Sequence, residues 1–256
     1  MKMKILSLNC QRGYQKGLEK FLRQTLQEEK YKLLILQEVD AKVLPFLQHP
    51  SYKLVRAFNE ETGKESELCI MYGGKYNLVK TGFKSFASMR NDPRYGFKHP
   101  GFGLLWADLT IGNLPFRVGS IHLHSGVNQK ARAAELEQAK EIFLKTPCVP
   151  KVLAGDFNAG YPGESSNMAN ILAPEFTWKT KGTGPTLDSR YSENVPHLPN
   201  RIAALLRLFN IKIPLWTDHF FVDMESAKKY DICCRVLPNR VSDHSPIEFI
   251  MGNKLA

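Results

Sequence analysis

The apolar positions of this chain fall into short runs separated by polar turns. Residues 5–8, 33–36, 68–72, 104–109, 116–121 and 152–154 each read as buried strands, and residues 219–222, 232–236 and 247–251 repeat the pattern near the end. Leu18, Phe21, Leu22 and Leu26 instead follow the i, i+3, i+4, i+8 spacing of an amphipathic helix, closed by Lys30 and Tyr31. Residues 128–145, alanine-rich with mixed charges, predict a second helix. Strands outnumber helices, and several follow one another with no helix between. That order favours two stacked sheets with helices outside over a single doubly wound sheet.

Two segments do not fit this scheme. Residues 75–101 hold six Lys/Arg against Asp92 alone, interleaved with Tyr76, Phe83, Phe86, Tyr95 and Phe97. Residues 180–216 are rich in Gly, Pro and polar groups and then turn apolar and basic. Long segments of this kind in a compact domain often carry function. No linker, repeat or composition break divides the chain, so residues 1–256 read as one domain.

Composition adds one constraint. The 256 residues are 43% hydrophobic and 23% charged, which excludes disordered and fibrous classes. Lys and Arg number 35 against 25 Asp and Glu, a net charge of +10. That sign favours an anionic partner: nucleic acid, a phosphate ester or an anionic membrane. Cys10, Cys69, Cys148, Cys233 and Cys234 are odd in number and lack C-x-x-C spacing, so neither a disulfide framework nor a zinc knuckle is indicated. Cys233 and Cys234, in an apolar run, read as small buried hydrophobes. With no leader pattern or membrane-length apolar stretch, the expected location is the cytoplasm.

The informative polar residues stand where strands end. Asn9 ends the first strand and Glu38 the second; His122 follows a later one, in Ser120-Ile121-His122-Leu123-His124. Asp156 and Asn158 lie in Gly155-Asp156-Phe157-Asn158, Asp218 opens a late strand, and Asp243-His244 precede the last. Carboxylates and amides on rigid strand ends supply the oxygen ligands a hard cation requires. A further carboxylate can take a proton from an attacking water, and imidazoles can donate to phosphoryl oxygens. Taken singly, each residue is an ordinary turn, cap or core group. Their joint occurrence, each at a strand end, outweighs that.

In this order the residues resemble the endonuclease/exonuclease/phosphatase superfamily, through Leu8-Asn9, Leu36-Gln37-Glu38-Val39, His122, Gly155-Asp156-Phe157-Asn158, Asp218, and Ser242-Asp243-His244-Ser245-Pro246. The pieces span residues 8–246, essentially the whole chain. The resemblance implies an α/β fold, a four-layer α/β/β/α sandwich of two stacked mixed sheets flanked by helices. It also implies Mg²⁺ or Mn²⁺ at Glu38 with Asn9, and Asp243 as a further ligand. Asp156 is similar to the residue that orients or deprotonates the water, and Asn158 to the one that steadies the phosphate. His244 resembles the histidine that contacts the scissile phosphate, paired with Asp218. His122 matches a catalytic histidine position, with Glu67 similar to its orienting acid. His124, on the same face of an extended strand, competes for that role. Thr186-Leu187-Asp188-Ser189 is similar to the Thr-Trp-Asp stretch of tyrosyl-DNA phosphodiesterases, too short a match to name a substrate.

The expected activity is metal-dependent phosphodiester hydrolysis by water. Nucleic acid is the preferred substrate, with Lys84, Arg90 and Arg94 of the basic, aromatic segment as its contacts. The alternative is a lipid or small-molecule phosphoesterase working at a membrane surface. Its basis is Ile202, Leu205, Leu206 and Phe209 on one helical face beside Arg201 and Arg207. A covering helix would bury that face. A non-catalytic binding module is the remaining reading, and the intact Glu38, Asp156 and His244 oppose it.

Overall fold

The computed structural model describes residues 2–13, 15–59, 63–86, 102–125, 129–160, 162–188, 204–205, 208–210, 213–238 and 241–254. In chain order the first half runs β1 (Lys2–Asn9), α1 (Leu18–Gln27), β2 (Leu33–Gln37), β3 (Tyr52–Val55), β4 (Phe58–Asn59), β5 (Lys64–Glu65), β6 (Cys69–Gly73), β7 (Tyr76–Ser85), β8 (Gly103–Ile111) and β9 (Leu114–His122). Then come α2 (Gln129–Leu144), β10 (Lys151–Asp156), α3 (Pro162–Leu172), β11 (Phe176–Trp178), β12 (Leu187–Asp188) and β13 (Pro214–Leu215). The chain ends with β14 (Asp218–Asp223), a helix α4 (Met224–Lys229), β15 (Tyr230–Val236) and β16 (Ile247–Asn253).

Two six-stranded mixed sheets result, in the orders β15-β16-β1-β2-β6-β3 and β11-β14-β10-β9-β8-β7. Each is antiparallel except for one central parallel pair, β1/β2 in the first and β9/β10 in the second. Ile5, Leu33 and Ile35 meet Leu105, Val118, Val152 and Ala154 in the core between the sheets. Their neighbours Leu6, Leu8, Leu34 and Leu36 point the other way, onto Leu18, Leu22 and Leu26 of α1. On the far side, Leu104, Ile121 and Leu153 pack under Leu136, Phe143 and Met168 of α2 and α3. Each central strand is thus buried on both faces, which is why it reads as a continuous apolar run rather than an alternating one. The four-layer α/β/β/α sandwich is the observed architecture.

The differences from the sequence reading have local causes. The first helix stops before Lys30 because Glu29 is left-handed (φ 46°), and Tyr31 turns into the core as a separate element. The strand β7 carries no apolar run, because as a sheet edge it exposes most of its length. Cys233 is exposed, not a buried hydrophobe, since β15 is also an edge strand. Among the described residues, no helix is long and apolar enough to cross a membrane.

Candidate active site

The parallel pairs β1/β2 and β9/β10 lie against each other across the core, so their carboxyl ends open on the same edge of the sandwich. Inward-facing positions on a strand repeat every second residue. Asn9 continues the face of Ile5 and Ser7, Asp156 that of Ala154, and Asp218 that of Phe220. Past the last apolar layer these positions are polar, and they meet.

Register supplies the closest grouping. On β10, Asp156 lies opposite His122 of β9 on one side and Asp218 of β14 on the other. Gly155 makes this possible: its φ is 141°, and a Cβ there would stand 2.0 Å from the Ile121 carbonyl oxygen. Only glycine lets β10 lie this close to β9. Four of the six non-glycine residues with positive φ, among the described residues, are at this edge: Gln11, Arg12, Glu38 and Asn158. Backbone strain of this kind concentrates at working sites.

The side chains interlock around Asp156. Its Oδ1 accepts the Asn158 backbone N–H at 2.8 Å, and its Oδ2 accepts from Asn9 Nδ2 at 3.0 Å. Asn9 also donates to Glu38 Oε1 at 3.2 Å, while its own oxygen accepts from the Gln11 N–H at 3.0 Å. His122 Nε2 is 3.5 Å from Asp156 Oδ2 and 3.9 Å from Glu38 Oε1. Asn158 donates through Nδ2 to the Leu123 carbonyl at 2.7 Å. His244 Nδ1 meets Asp218 Oδ2 at 2.7 Å, and its Nε2 faces Asp156 Oδ2 at 3.7 Å and Asp243 Oδ1 at 3.8 Å. Thr217 adds a second hydrogen bond to Asp218 Oδ2, at 2.9 Å.

Burial sorts the proton affinities of these groups. It pushes Glu38 above the usual carboxylate range, aided by the charge of Asp243. Asp156 is likewise raised by burial, reinforced by Asp218 and opposed by His244. Burial acts on Asp218 too, but the His244 charge and hydrogen bonds from His244, Thr186 and Thr217 outweigh it and hold this carboxyl low. Burial would lower His244, yet the carboxylates of Asp218, Asp243 and Asp156 raise it well above an ordinary imidazole. The pair Asp218–His244 is therefore an ion pair, and Asp156 is the carboxylate that most readily accepts a proton.

Asn9, Glu38, His122, Asp156, Asn158, Asp218, Asp243 and His244 all come to this edge. Of the two histidines, His122 faces Asp156. His124 is past the end of β9 and turns to α2, where its Nδ1 meets Glu135 Oε1 at 2.6 Å. Glu67 stands apart from its expected partner in role: Arg12 engages it through Nε and Nη2, at 3.3 and 3.2 Å. The carboxylates facing His122 are instead Glu38 and Asp156. Lys84 is exposed on β7, one residue before Ser85, which shares a cross-strand row with Gly103, His122, Asp156 and Asp218. Arg90 and Arg94 lie outside the described residues. Sequence reasoning missed Thr217, Gln11 and Arg12, whose polar groups carry no distinctive local pattern.

The Endonuclease/Exonuclease/phosphatase family model matches residues 6–244. Among solved structures, a humanized D. rerio TDP2 is 17% identical, with a TM-score of 0.73 over 98% of this chain and 99% of that one. D. rerio TDP2 complexed with a single-strand DNA product is 18% identical, with a TM-score of 0.71 and the same coverage. A Bacteroides vulgatus endonuclease/exonuclease/phosphatase is 15% identical, with a TM-score of 0.71 over 99% of this chain and 100% of that one. Curated protein sequences provide no significant match.

Proposed function

The chain belongs to the endonuclease/exonuclease/phosphatase family, a family of phosphoesterases, and from that premise we propose that it hydrolyses phosphodiesters with Mg²⁺ or Mn²⁺, nucleic acid being the substrate. The observation that carries this reading is the cross-strand row His122–Asp156–Asp218, closed by His244 and faced by Asn9 and Glu38.

The donor set fits a hard divalent ion. Glu38 and Asp243 offer carboxylate oxygens and Asn9 an amide oxygen, all on one edge. The raised proton affinity of Glu38 comes from burial beside like charge, a cost that a cation relieves. Asn9 presents its nitrogen to the carboxylates, so ligation by its oxygen requires the amide to turn over. When bound, the ion neutralises a phosphoryl oxygen and steadies the departing alkoxide.

The chain's own groups divide the remaining work. Asp156 orients the attacking water and takes its proton, for which its raised affinity suits it. His244, held charged by Asp218, offers Nε2–H to a phosphoryl oxygen, where negative charge grows in the transition state. His122 and the amide of Asn158 line the same face and steady the phosphate from the other side. Lys84, exposed on the edge strand beside that row, contacts the flanking backbone of a polyanion, in keeping with the +10 net charge. The single-strand DNA product held by the D. rerio TDP2 of like fold supports nucleic acid as the class.

One observation favours a second reading. Of the apolar face expected there, Leu205 and Phe209 are exposed rather than covered, as an interfacial segment acting on a lipid ester requires; Ile202, Leu206, Arg201 and Arg207 lie outside the described residues. Both readings meet in one assay: single- and double-stranded DNA, RNA, phosphoinositide and sphingomyelin, each with Mg²⁺, Mn²⁺ and EDTA. Metal-stimulated cleavage of nucleic acid alone supports the first; cleavage of lipid alone, with vesicle co-sedimentation, supports the second. No hydrolysis of any ester would return the chain to a binding role.

A further inference from the structure

We propose that Thr186 is a positioning residue that holds Asp218 and His244 in register across the two sheets. The proposal rests on the phosphodiesterase reading for its kinetic consequence, but the hydrogen bonds that motivate it do not.

Asp218 opens β14 in one sheet, while His244 precedes β16 in the other. Their 2.7 Å contact therefore bridges two layers and needs both held. Thr186, 1% exposed, touches both. Its Oγ1 accepts the backbone N–H of Thr217 and that of Asp218, each at 3.0 Å. Its carbonyl accepts the Ser245 N–H at 2.6 Å, and its own N–H donates to the Leu215 carbonyl at 2.9 Å. The next residue, Leu187, forms an antiparallel bridge with His244.

A hydroxyl has two lone pairs and one proton. Two backbone donors occupy the lone pairs of Thr186 Oγ1, so its proton is left to donate. It has Thr217 Oγ1, at 3.3 Å, as an acceptor. Thr217 in turn donates to Asp218 Oδ2. Thr186 thus sets the start of β14, anchors the segment carrying His244, and orients the Thr217 hydroxyl that donates to the carboxylate between them. A buried carboxylate without such donors would compete for the imidazole proton or swing away from it.

The test compares Thr186→Val, which keeps the shape and removes the hydroxyl, with Thr186→Ser, which keeps the hydroxyl. Thr180→Val serves as a control. Thr180 is an equally buried threonine whose Oγ1 meets Trp178, His219 and the Phe220 N–H of the same strand, but neither Asp218 nor His244. Thr186→Val is expected to lower kcat about 10- to 100-fold with KM unchanged, as loss of an orienting partner does. Thr186→Ser should restore most of that turnover, and Thr180→Val should keep it. Wild-type kcat in Thr186→Val overturns the proposal, as does equal damage in the valine and serine variants, or an equal loss in Thr180→Val. Thr186→Ala replaces the valine variant if the latter does not fold.

A readout independent of turnover separates this proposal from the reaction assigned above. The low-field proton resonance of His244 Nδ1–H, identified by its loss in Asp218→Asn, should persist in Thr186→Ser and shift or vanish in Thr186→Val. An unchanged resonance in Thr186→Val overturns the positioning role even if the protein hydrolyses phosphodiesters. The expected shift supports the role even if it hydrolyses none.

Discussion

Gly155→Ala is the substitution that tests whether strand register builds the site. Gly155 pairs with Ile121 immediately before Asp156 pairs with His122. A methyl group there would stand 2.0 Å from the Ile121 carbonyl oxygen, where contacts below 3.0 Å essentially never occur. The two strands must therefore separate by about 1 Å, and Asp156 moves with them. A displacement of that size at a reacting group costs roughly 10²-fold in rate. The backbone also resists, because φ 141° is a conformation alanine rarely adopts, at about 1–3 kcal/mol. At roughly 2–4 °C per kcal/mol for a chain of this size, the strain alone lowers Tm by about 2–12 °C.

Gly112→Ala, in the turn between β8 and β9, provides the comparison. Gly112 has positive φ, 56°, but open space around the added methyl. It should lose stability through strain and keep its turnover. Calorimetry and initial rates on the phosphodiester identified in the substrate panel would measure both variants. The reasoning is refuted if Gly155→Ala retains turnover equal to that of Gly112→Ala, because the close approach would then not govern Asp156.

Asp156→Asn and His244→Ala should each cut turnover by about 10²- to 10⁴-fold with folding largely intact, checked by rates and circular dichroism. Glu38→Gln should raise the Mg²⁺ concentration needed for half-maximal rate, and an unchanged metal titration would remove Glu38 as a ligand. Burial lowers His219 to about 4, so it stays neutral in the fold while the unfolded chain takes a proton below about 6.5. Stability then falls as pH drops from 6.5 toward 4, by about 2 kcal/mol at pH 5 from this residue. Denaturant melts at pH 7 and pH 5 should show a steeper acid loss in wild type than in His219→Gln; equal losses would refute it.

Much of this molecule was legible along the chain. A strand buried on both faces must be apolar throughout, so β1, β2, β9 and β10 announce themselves without any partner. A polar residue closing such a run is conspicuous for the same reason, and Asn9, Glu38, His122 and Asp156 were found that way. The helix over Leu18, Leu22 and Leu26 followed from its 3.6-residue period. The edge strand β7 was missed because it exposes most of its length and meets the core through Tyr76 and Phe83, too few to display a period. Cys233 was misread because it lies on the exposed face of β15, whose other face, with Ile232, Cys234 and Val236, packs on the core.

What the chain alone left open were relations between strands. His122 and His124 are equivalent in local pattern; only the end of β9 and the presence of Glu135 on α2 turn one toward Asp156 and the other away. Glu67 belongs with Arg12 because the turn after β1 brings that guanidinium to it. Asp156 sits between His122 and Asp218 because β10 pairs with β9 and β14 in one register, and a slip of one residue would turn every side chain to the opposite face. Hydrophobic periodicity is a property of single segments and was readable in the sequence. Register joins His122, Asp156 and Asp218 within one sheet, the packing of that sheet on the other brings Asn9 to Asp156, and neither is decided by a single segment.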